Sequence, residues 1–173
     1  RTHLIEAIKE GNVFAVRELL SRGADVAAPD VNGTTALHWA VHRDDHELAD
    51  LLIRAGTDVT STNRYGVAPL SLACTNGSTR MIGRLLLAGA DPNSTLSEGE
   101  TALMTAARTG RVDAVSLLLD HGAAVNAAEQ WQGQTALMWA AAEGHAAVVQ
   151  TLIDHGADVE ARSGRPGAGS TEG

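Results

Sequence analysis

Two histidines four positions apart form the pattern in this sequence that most resembles a metal site. His42 and His46 enclose Asp44 and Asp45, and imidazole and carboxylate groups are both common zinc ligands. On one continuous helix this spacing would place both imidazoles on the same face. A repeat that runs along the chain, however, assigns Asp44 to a turn between two helices, so we expect the histidines on different helices. The sequence therefore predicts no metal site.

Cys74 is the single cysteine and a candidate nucleophile. Its position in the repeat is otherwise filled by Ile8, Val41, Ala107 and Ala141. We expect a buried, inert thiol there, without an internal disulfide. His121 and His155 each precede a glycine that is expected to close a helix, where the helix dipole favours a cation. No Ser-His-Asp set, phosphate-binding loop or carboxylate pair stands apart from the repeat positions, so we predict no catalytic residue and no cofactor.

The composition limits both the core and the partners. Of the 173 residues, 44% are hydrophobic but only 3% are aromatic, which favours closely packed helices with small and aliphatic side chains between them. The formal charge of −8 argues against broad contact with a nucleic-acid backbone. The longest apolar runs fall far short of the roughly 20 residues that cross a bilayer. We expect a soluble protein that binds neither nucleic acid nor membrane, in the cytoplasm unless an export signal preceded Arg1.

Two short motifs recur in phase along most of the chain. The first is Gly-Ala-Asp or a variant of it, at intervals of 33, 33, 33 and 34 residues. Its copies are Gly23-Ala24-Asp25, Gly56-Thr57-Asp58, Gly89-Ala90-Asp91, Gly122-Ala123-Ala124 and Gly156-Ala157-Asp158. The copies of the second are Gly33-Thr34-Thr35-Ala36-Leu37, Gly66-Val67-Ala68-Pro69-Leu70, Gly99-Glu100-Thr101-Ala102-Leu103 and Gly133-Gln134-Thr135-Ala136-Leu137. Two markers that keep the same step indicate an array of short structural repeats.

Each repeat predicts a pair of helices. Thr35, Thr101 and Thr135 precede apolar runs, where a hydroxyl can accept a hydrogen bond from a free backbone N–H at a helix start. In each first helix a leucine lies three residues before an alanine, which allows close packing. These pairs are Leu37 and Ala40, Leu70 and Ala73, Leu103 and Ala106, and Leu137 and Ala140. The glycines expected to end the first helices are Gly77, Gly110 and Gly144.

A period near 33 residues with these motifs resembles the ankyrin repeat. The resemblance covers about residues 2 to 161. Thr35-Ala36-Leu37-His38-Trp39-Ala40 keeps the histidine of the family motif, and Ala68-Pro69-Leu70 keeps its proline. Alanine-rich variants such as Ala136-Leu137-Met138-Trp139-Ala140-Ala141 look like bacterial ankyrin repeats. An extra residue near 129–132 falls where the family has an exposed turn, which tolerates insertion.

The fold that the resemblance implies is an all-α ankyrin-repeat solenoid of about five stacked helix-turn-helix repeats joined by β-turns. We assign the repeats of this single domain to residues 1–29, 30–62, 63–95, 96–128 and 129–162, followed by a flexible tail at 163–173. Both ends look unfinished. Phe14 stands where other repeats have mostly polar residues, and the fifth repeat keeps the internal apolar pattern at Val148, Val149, Leu152 and Ile153. We therefore expect either a longer array or end-to-end self-association, with terminal repeats that unfold before the middle ones.

For function, the resemblance implies a non-catalytic protein–protein interaction module. Its partner would bind the concave surface formed by turn tips and first helices. The residues placed there are Val31, Asn32, Thr34, His42, Arg43, Arg64, Tyr65, Val67, Thr75, Asn76, Ser97, Glu98, Glu100, Arg108, Thr109, Trp131, Gln132, Gln134 and Glu143. Tyr65 and Trp131 are the expected anchors, because aromatic residues dominate many binding energies, although each could instead pack over a neighbouring turn.

Three further expectations follow from the repeat positions. His38 matches the family histidine and should satisfy neighbouring backbone groups. Trp39 and Trp139 border the core, so we expect them to be partly buried, with a ligand-facing edge as the alternative. The partner is expected to be another protein, and the alternative function is a substrate-docking or regulatory segment of a larger multidomain protein or enzyme. A small-molecule binder fits less well, because an open surface of turns encloses few apolar pockets.

Overall fold

Ten short α-helices lie within residues 3–164, the part of the chain that the computed structural model describes. Each helix has seven to nine residues, and the helices form five pairs, one in each predicted repeat. The all-α repeat fold predicted from the sequence is confirmed. The predicted flexible tail lies outside the described residues from position 165 onward, and the single-domain organisation stays a prediction.

The helices fall into two compact units, which are divided between Asp91 and Pro92. In the first unit the helices are α1 His3–Lys9, α2 Val13–Ser21, α3 Ala36–His42, α4 His46–Arg54, α5 Pro69–Asn76 and α6 Thr79–Leu87. In the second unit they are α7 Ala102–Thr109, α8 Val112–Asp120, α9 Ala136–Ala142 and α10 Ala146–Asp154, preceded by a short 3₁₀ turn at Ser97–Gly99. Within each unit, the first helices of neighbouring repeats pack against each other, as α3 does against α5 and α7 against α9.

Helices α3, α7 and α9 begin directly after the threonines that were predicted to mark their starts. The Thr101 hydroxyl accepts a hydrogen bond from the Met104 N–H at 3.2 Å, and Thr135 is placed in the same way before α9. The third repeat lacks this threonine and starts α5 with Pro69 instead, whose fixed φ suits the first helical position. Three of the second helices are capped by the side chains of Asn12, Asp45 and Ser78, which the repeat motifs did not predict.

The cores are built from the predicted leucine and alanine positions. In the first unit Leu37, Ala40, Leu70 and Ala73 are all fully buried. In the second unit Leu103 and Ala106 are buried in α7. With one small side chain in each helix, the first helices can approach closely, which explains why so few aromatic residues are needed.

The connections between the paired helices are single tight turns. Gly77 follows α5 with φ +67°, a left-handed conformation that glycine adopts without strain. Asp44 adopts a φ of 53° at the equivalent place between α3 and α4, where the sequence lacks the glycine. Aspartate is among the few residues that tolerate this region, so the predicted turn is confirmed.

Apolar side chains remain exposed in the first and last repeats. Phe14, in α2, is 79% exposed, and Val159 is 65% exposed. Val148 and Leu152 are fully buried in α10, whereas Ile153 in the same helix is 39% exposed, so the last repeat covers only part of its predicted apolar residues. No helix in residues 3–164 is long and apolar enough to cross a membrane.

Candidate functional site

The turns that precede α3 and α5 are each held by one side-chain oxygen. The Asp30 carboxylate accepts hydrogen bonds from the N–H groups of Asn32 and Thr34 at 2.8 and 3.0 Å. Asn63 does the same for the next turn, at 2.9 and 3.1 Å. The Arg64 N–H also donates to the Asn32 carbonyl at 2.9 Å, which ties the two tips together. The turn tips are therefore presented in a fixed geometry.

His38 links these turns to the helices behind them. Its Nδ1 accepts from the Thr35 N–H at 3.2 Å, and its Nε2 lies 2.8 Å from the Val67 carbonyl oxygen. The imidazole is therefore neutral, with its proton on Nε2. Burial lowers the pKa of His38, and the hydrogen bond to Val67 offsets this only in part. The predicted structural role is confirmed, since the side chain is only 1% exposed.

An open depression of about 250 Å³ lies among these turns and α3 and α5. Four of the predicted partner-binding residues line it, namely Asn32, Thr34, His42 and Tyr65. Trp39 and Asp30 line it as well, and we call this depression the Trp39 groove. Tyr65 is 67% exposed at its rim, and Val31, on the neighbouring turn tip, is 80% exposed.

Trp39 is half-buried and has polar and charged neighbours. Its Nε1 donates to the Asp30 carboxylate at 3.4 Å, and the Lys9 ammonium lies 4.5 Å from the ring centroid. The His42 ring meets it edge-on, with the centroids 6.0 Å apart. Burial raises the pKa of Asp30, but the hydrogen bonds from two backbone N–H groups and from Trp39 lower it overall. The groove thus joins an aromatic wall to a carboxylate that stays ionised.

In the second unit, Trp131 is 59% exposed. With Gln132 it lines an open depression of about 240 Å³ that Ser163 and Gly164 also border. The Gly164 N–H donates to the Gln132 carbonyl at 2.7 Å. The predicted anchor is therefore accessible, beside the last described residues of the chain.

Residues 130–132 of the turn around the inserted residue are exposed, as expected, but Glu129 at the base of the turn is buried. It is only 6% exposed, and its carboxylate accepts hydrogen bonds from the N–H groups of Trp131, Gln132 and Gln134 at 2.6–3.1 Å. Burial raises the pKa of Glu129, but these three backbone hydrogen bonds outweigh it and lower the pKa overall. The Glu129 carboxylate thus holds its turn as the Asp30 carboxylate does three repeats earlier, and its longer side chain spans the turn that the insertion enlarges.

The two tryptophans of the shared repeat position are both half-buried, as predicted. Their polar partners differ. Trp39 Nε1 donates to Asp30, whereas Trp139 Nε1 is buried with no hydrogen-bond partner in residues 3–164. The Glu129 oxygens that occupy the equivalent place are engaged by backbone N–H groups.

Some predicted binding residues of the first unit are engaged within the fold. The Arg43 guanidinium donates to the Lys9 carbonyl at 2.8 Å. Asn76 donates to the Val41 and His42 carbonyls at 3.1 and 3.3 Å, which joins α5 to the end of α3. The Thr75 hydroxyl donates a hydrogen bond to a carbonyl one turn earlier in its own helix. We expect these side chains to support the surface more than to contact a partner.

The same holds for part of the second unit. Arg108 lies 3.4 Å from Glu100 and stacks over Trp139, with its guanidinium 5.3 Å from the ring centroid. The Thr109 hydroxyl donates to the Ala106 carbonyl. Three further predicted residues are placed on the turns and helix ends: Glu98, Gln134 and Glu143.

The residues considered as metal ligands or catalytic groups occupy positions that serve the fold. His42 ends α3 and His46 begins α4, so they lie on different helices, as expected. The Nδ1 atoms of His121 and His155 lie 2.9 and 2.8 Å from carbonyl oxygens one turn earlier, at the ends of α8 and α10. Within residues 3–164, no group of three or more His, Cys, Asp or Glu side chains is arranged to hold a metal ion.

Cys74 is fully buried in α5, as predicted, and burial raises the pKa of its thiol to about 12. The thiolate is the reactive form. We therefore expect a thiol reagent such as dithionitrobenzoate to leave the folded protein unmodified at pH 8 and to modify it once denaturant is added. Rapid modification of the folded protein would contradict the buried position.

A comparison with protein families matches the model described as "Ankyrin repeats (3 copies)" to residues 1–63 and 70–163. The chain belongs to the ankyrin-repeat family. No curated protein matches the sequence significantly. Ankyrin repeats generally act as protein–protein interaction modules and are typically non-catalytic. The predicted general role in protein–protein interaction is thereby confirmed.

Two features of these ankyrin repeats were not predicted from the sequence. Asp30 and Glu129 shape the turns through backbone hydrogen bonds, and their place just before the glycine of the second motif could have identified them. A cluster of arginines on α2, α4 and α6 lies outside the turn positions. Its residues come from three repeats, so only the packing of the helices brings them together.

Proposed function

We propose that this ankyrin-repeat chain binds another protein through the Trp39 groove, with Tyr65 as the main anchor. The observation that carries the proposal is the exposure of Tyr65, 67%, at the rim of a depression whose turns are fixed by Asp30 and Asn63. A large aromatic side chain exposed on a rigid turn contributes little to folding. It can supply contact area to a partner at a low cost in conformational entropy.

The groove suits a partner side chain that is apolar with a polar or cationic end. Trp39 and Tyr65 offer aromatic surface, while the Asp30 carboxylate remains ionised beside them. Lys9 already holds its ammonium 4.5 Å from the Trp39 ring, so a cation is accepted at this wall. The excess of acidic residues in the chain favours a basic partner segment in addition.

Trp131 is the proposed second anchor, on the second unit. Its 59% exposure leaves the indole accessible beside Gln132. We further propose that the chain itself is not an enzyme, since its candidate nucleophile, Cys74, is buried and serves the fold. A docking or regulatory segment of a longer protein would use the same surface.

Tyr65→Ala is expected to weaken binding of a captured partner by about 2 kcal/mol or more, roughly 30-fold. Its effect on the free energy of unfolding should stay within about 0.5 kcal/mol, because the side chain is exposed. The measurement is affinity capture from a lysate of the source organism, followed by titration of the isolated partner with each variant.

The matched control is Leu87→Ala, which removes an 83% exposed apolar side chain from the end of α6, away from the groove. This variant should bind as the wild type does. Equal losses from Tyr65→Ala and Leu87→Ala would exclude the Trp39 groove as the binding surface.

A further inference from the structure

Four arginines line an open depression of about 310 Å³ on the second helices of the first three repeats. Arg17 lies on α2, Arg54 on α4, and Arg80 and Arg84 on α6. This volume is at the lower end of the range of about 300–1,000 Å³ that small-molecule sites occupy. Such a concentration of guanidinium groups is unexpected in a chain with a formal charge of −8.

The repeat fold does not require arginine at these positions. Asp113 stands one repeat after Arg80, and Asp120 and Asp154 occupy the repeat position of Arg54. Helices α8 and α10 therefore form with carboxylates where the first unit has guanidinium groups. The arginines of the depression are a property of this part of the chain and not of the repeat.

Ion pairs neutralise only half of the cluster. Arg17 lies 2.8 Å from Glu47, and Arg84 pairs with Asp50. Arg54 and Arg80 form no ion pair with any residue in the range 3–164. The four arginines and two carboxylates give the depression a formal charge of +2.

The paired arginines are also held in place. The two ion pairs join α2 to α4 and α4 to α6, so the guanidinium groups of Arg17 and Arg84 are oriented before any ligand arrives. Arg84 Nε is in addition a buried donor without a hydrogen-bond partner in the described part of the chain. Buried donors of this kind are uncommon in proteins and often mark a place where an anion or water binds.

We propose that this depression, the arginine site, binds a soluble small molecule that carries two or more phosphate groups. Guanidinium groups match the geometry of phosphate oxygens and donate paired, charge-assisted hydrogen bonds to them. Arg54 and Arg80 would make the new contacts, while Arg17 and Arg84 supply the fixed positive surroundings. Two unpaired guanidinium groups favour a ligand with more than one phosphate group.

The test is a titration of the full 173-residue chain with sodium pyrophosphate at physiological ionic strength, followed by calorimetry and by the thermal midpoint. The wild type should bind saturably, and its thermal midpoint should rise with ligand concentration because only the folded chain has the site. Arg54→Gln/Arg80→Gln should weaken binding about tenfold or more, since two charge-assisted contacts are lost. Its fold should persist, because neither arginine takes part in an ion pair with a described residue.

The matched control is Arg22→Gln/Arg111→Gln, which removes the same charge from two exposed arginines outside the arginine site. This variant should bind pyrophosphate as the wild type does. Equal weakening in both double variants would show general charge attraction and overturn the proposal, as would an absence of saturable binding to the wild type. Binding to vesicles that contain phosphatidic acid, without binding to pyrophosphate, would also overturn it, because the ligand would then be a lipid surface.

Discussion

Replacing His38 with alanine is expected to lower the free energy of unfolding by about 2–4 kcal/mol. The substitution removes the hydrogen bond to the Val67 carbonyl, leaves the Thr35 N–H without its acceptor, and opens a cavity at a fully buried position. Urea denaturation of the variant and the wild type measures the difference. His42→Ala is the matched control, because His42 is exposed at the end of α3 and should change stability by less than about 0.5 kcal/mol.

The His38 contribution should also depend on pH. The pKa of His38 is lowered in the folded state from its ordinary value of 6.5, so below this pH the unfolded chain binds a proton that the folded chain resists. The contribution is therefore complete above pH 6.5 and is lost as the pH falls toward the lowered pKa. The stability difference between wild type and His38→Ala should shrink on acidification, and a difference that grows would contradict the neutral imidazole.

Glu129→Ala is expected to cost about 2–4 kcal/mol, because three backbone N–H groups of the turn lose a charged acceptor. The control is Glu143→Ala, which removes an exposed carboxylate just after α9. Chemical denaturation of both variants gives the comparison. Similar stabilities for the two variants would show that the Glu129 carboxylate does not hold the turn.

The contribution of Glu129 to the free energy of unfolding should depend on pH in the opposite direction to that of a carboxyl group with a raised pKa. Its folded-state pKa lies below the ordinary 4.5, so its contribution is present above that pH and is lost as the pH falls through the lowered value. Glu129→Gln keeps the length of the side chain but removes the titration. The gap between wild type and Glu129→Gln should therefore close in acid, while it stays constant above pH 5.

Most of the fold could be predicted from the sequence because each signal was local. Thr101 and Thr135 mark helix starts through their own hydroxyl groups, and Asp44 occupies a turn that the repeat spacing defines. Cys74 is buried because its repeat position is apolar in other repeats. These features depend on a few consecutive residues and on the period, so the sequence alone contains them.

The candidate site was predicted less completely because its chemistry depends on contacts between repeats. Tyr65 and Trp131 are exposed as expected, but Arg43 and Asn76, assigned to the same surface, donate to carbonyl groups of a neighbouring repeat. The repeat position of a residue predicts where its backbone lies, but it does not predict which neighbouring group the side chain contacts. Long polar side chains such as that of Arg43 can therefore serve the packing as well as a partner.

The insertion before α9 shows a second limit of sequence reasoning. An extra residue in a turn predicts tolerance and exposure, yet Glu129 is buried at its base. The enlarged turn has several free N–H groups that must find acceptors, and a glutamate reaches three of them. The role of Glu129 as an acceptor can be identified only from the backbone hydrogen bonds of the folded chain.

Hydrogen exchange of the chain with and without a bound partner tests the central claim most directly. If the Trp39 groove is the binding surface, the partner should slow exchange in the turns 30–35 and 63–68 and in α3 and α5, and should leave α4 and α6 unchanged. Protection confined to α4 and α6, with no change in either turn, would contradict the account.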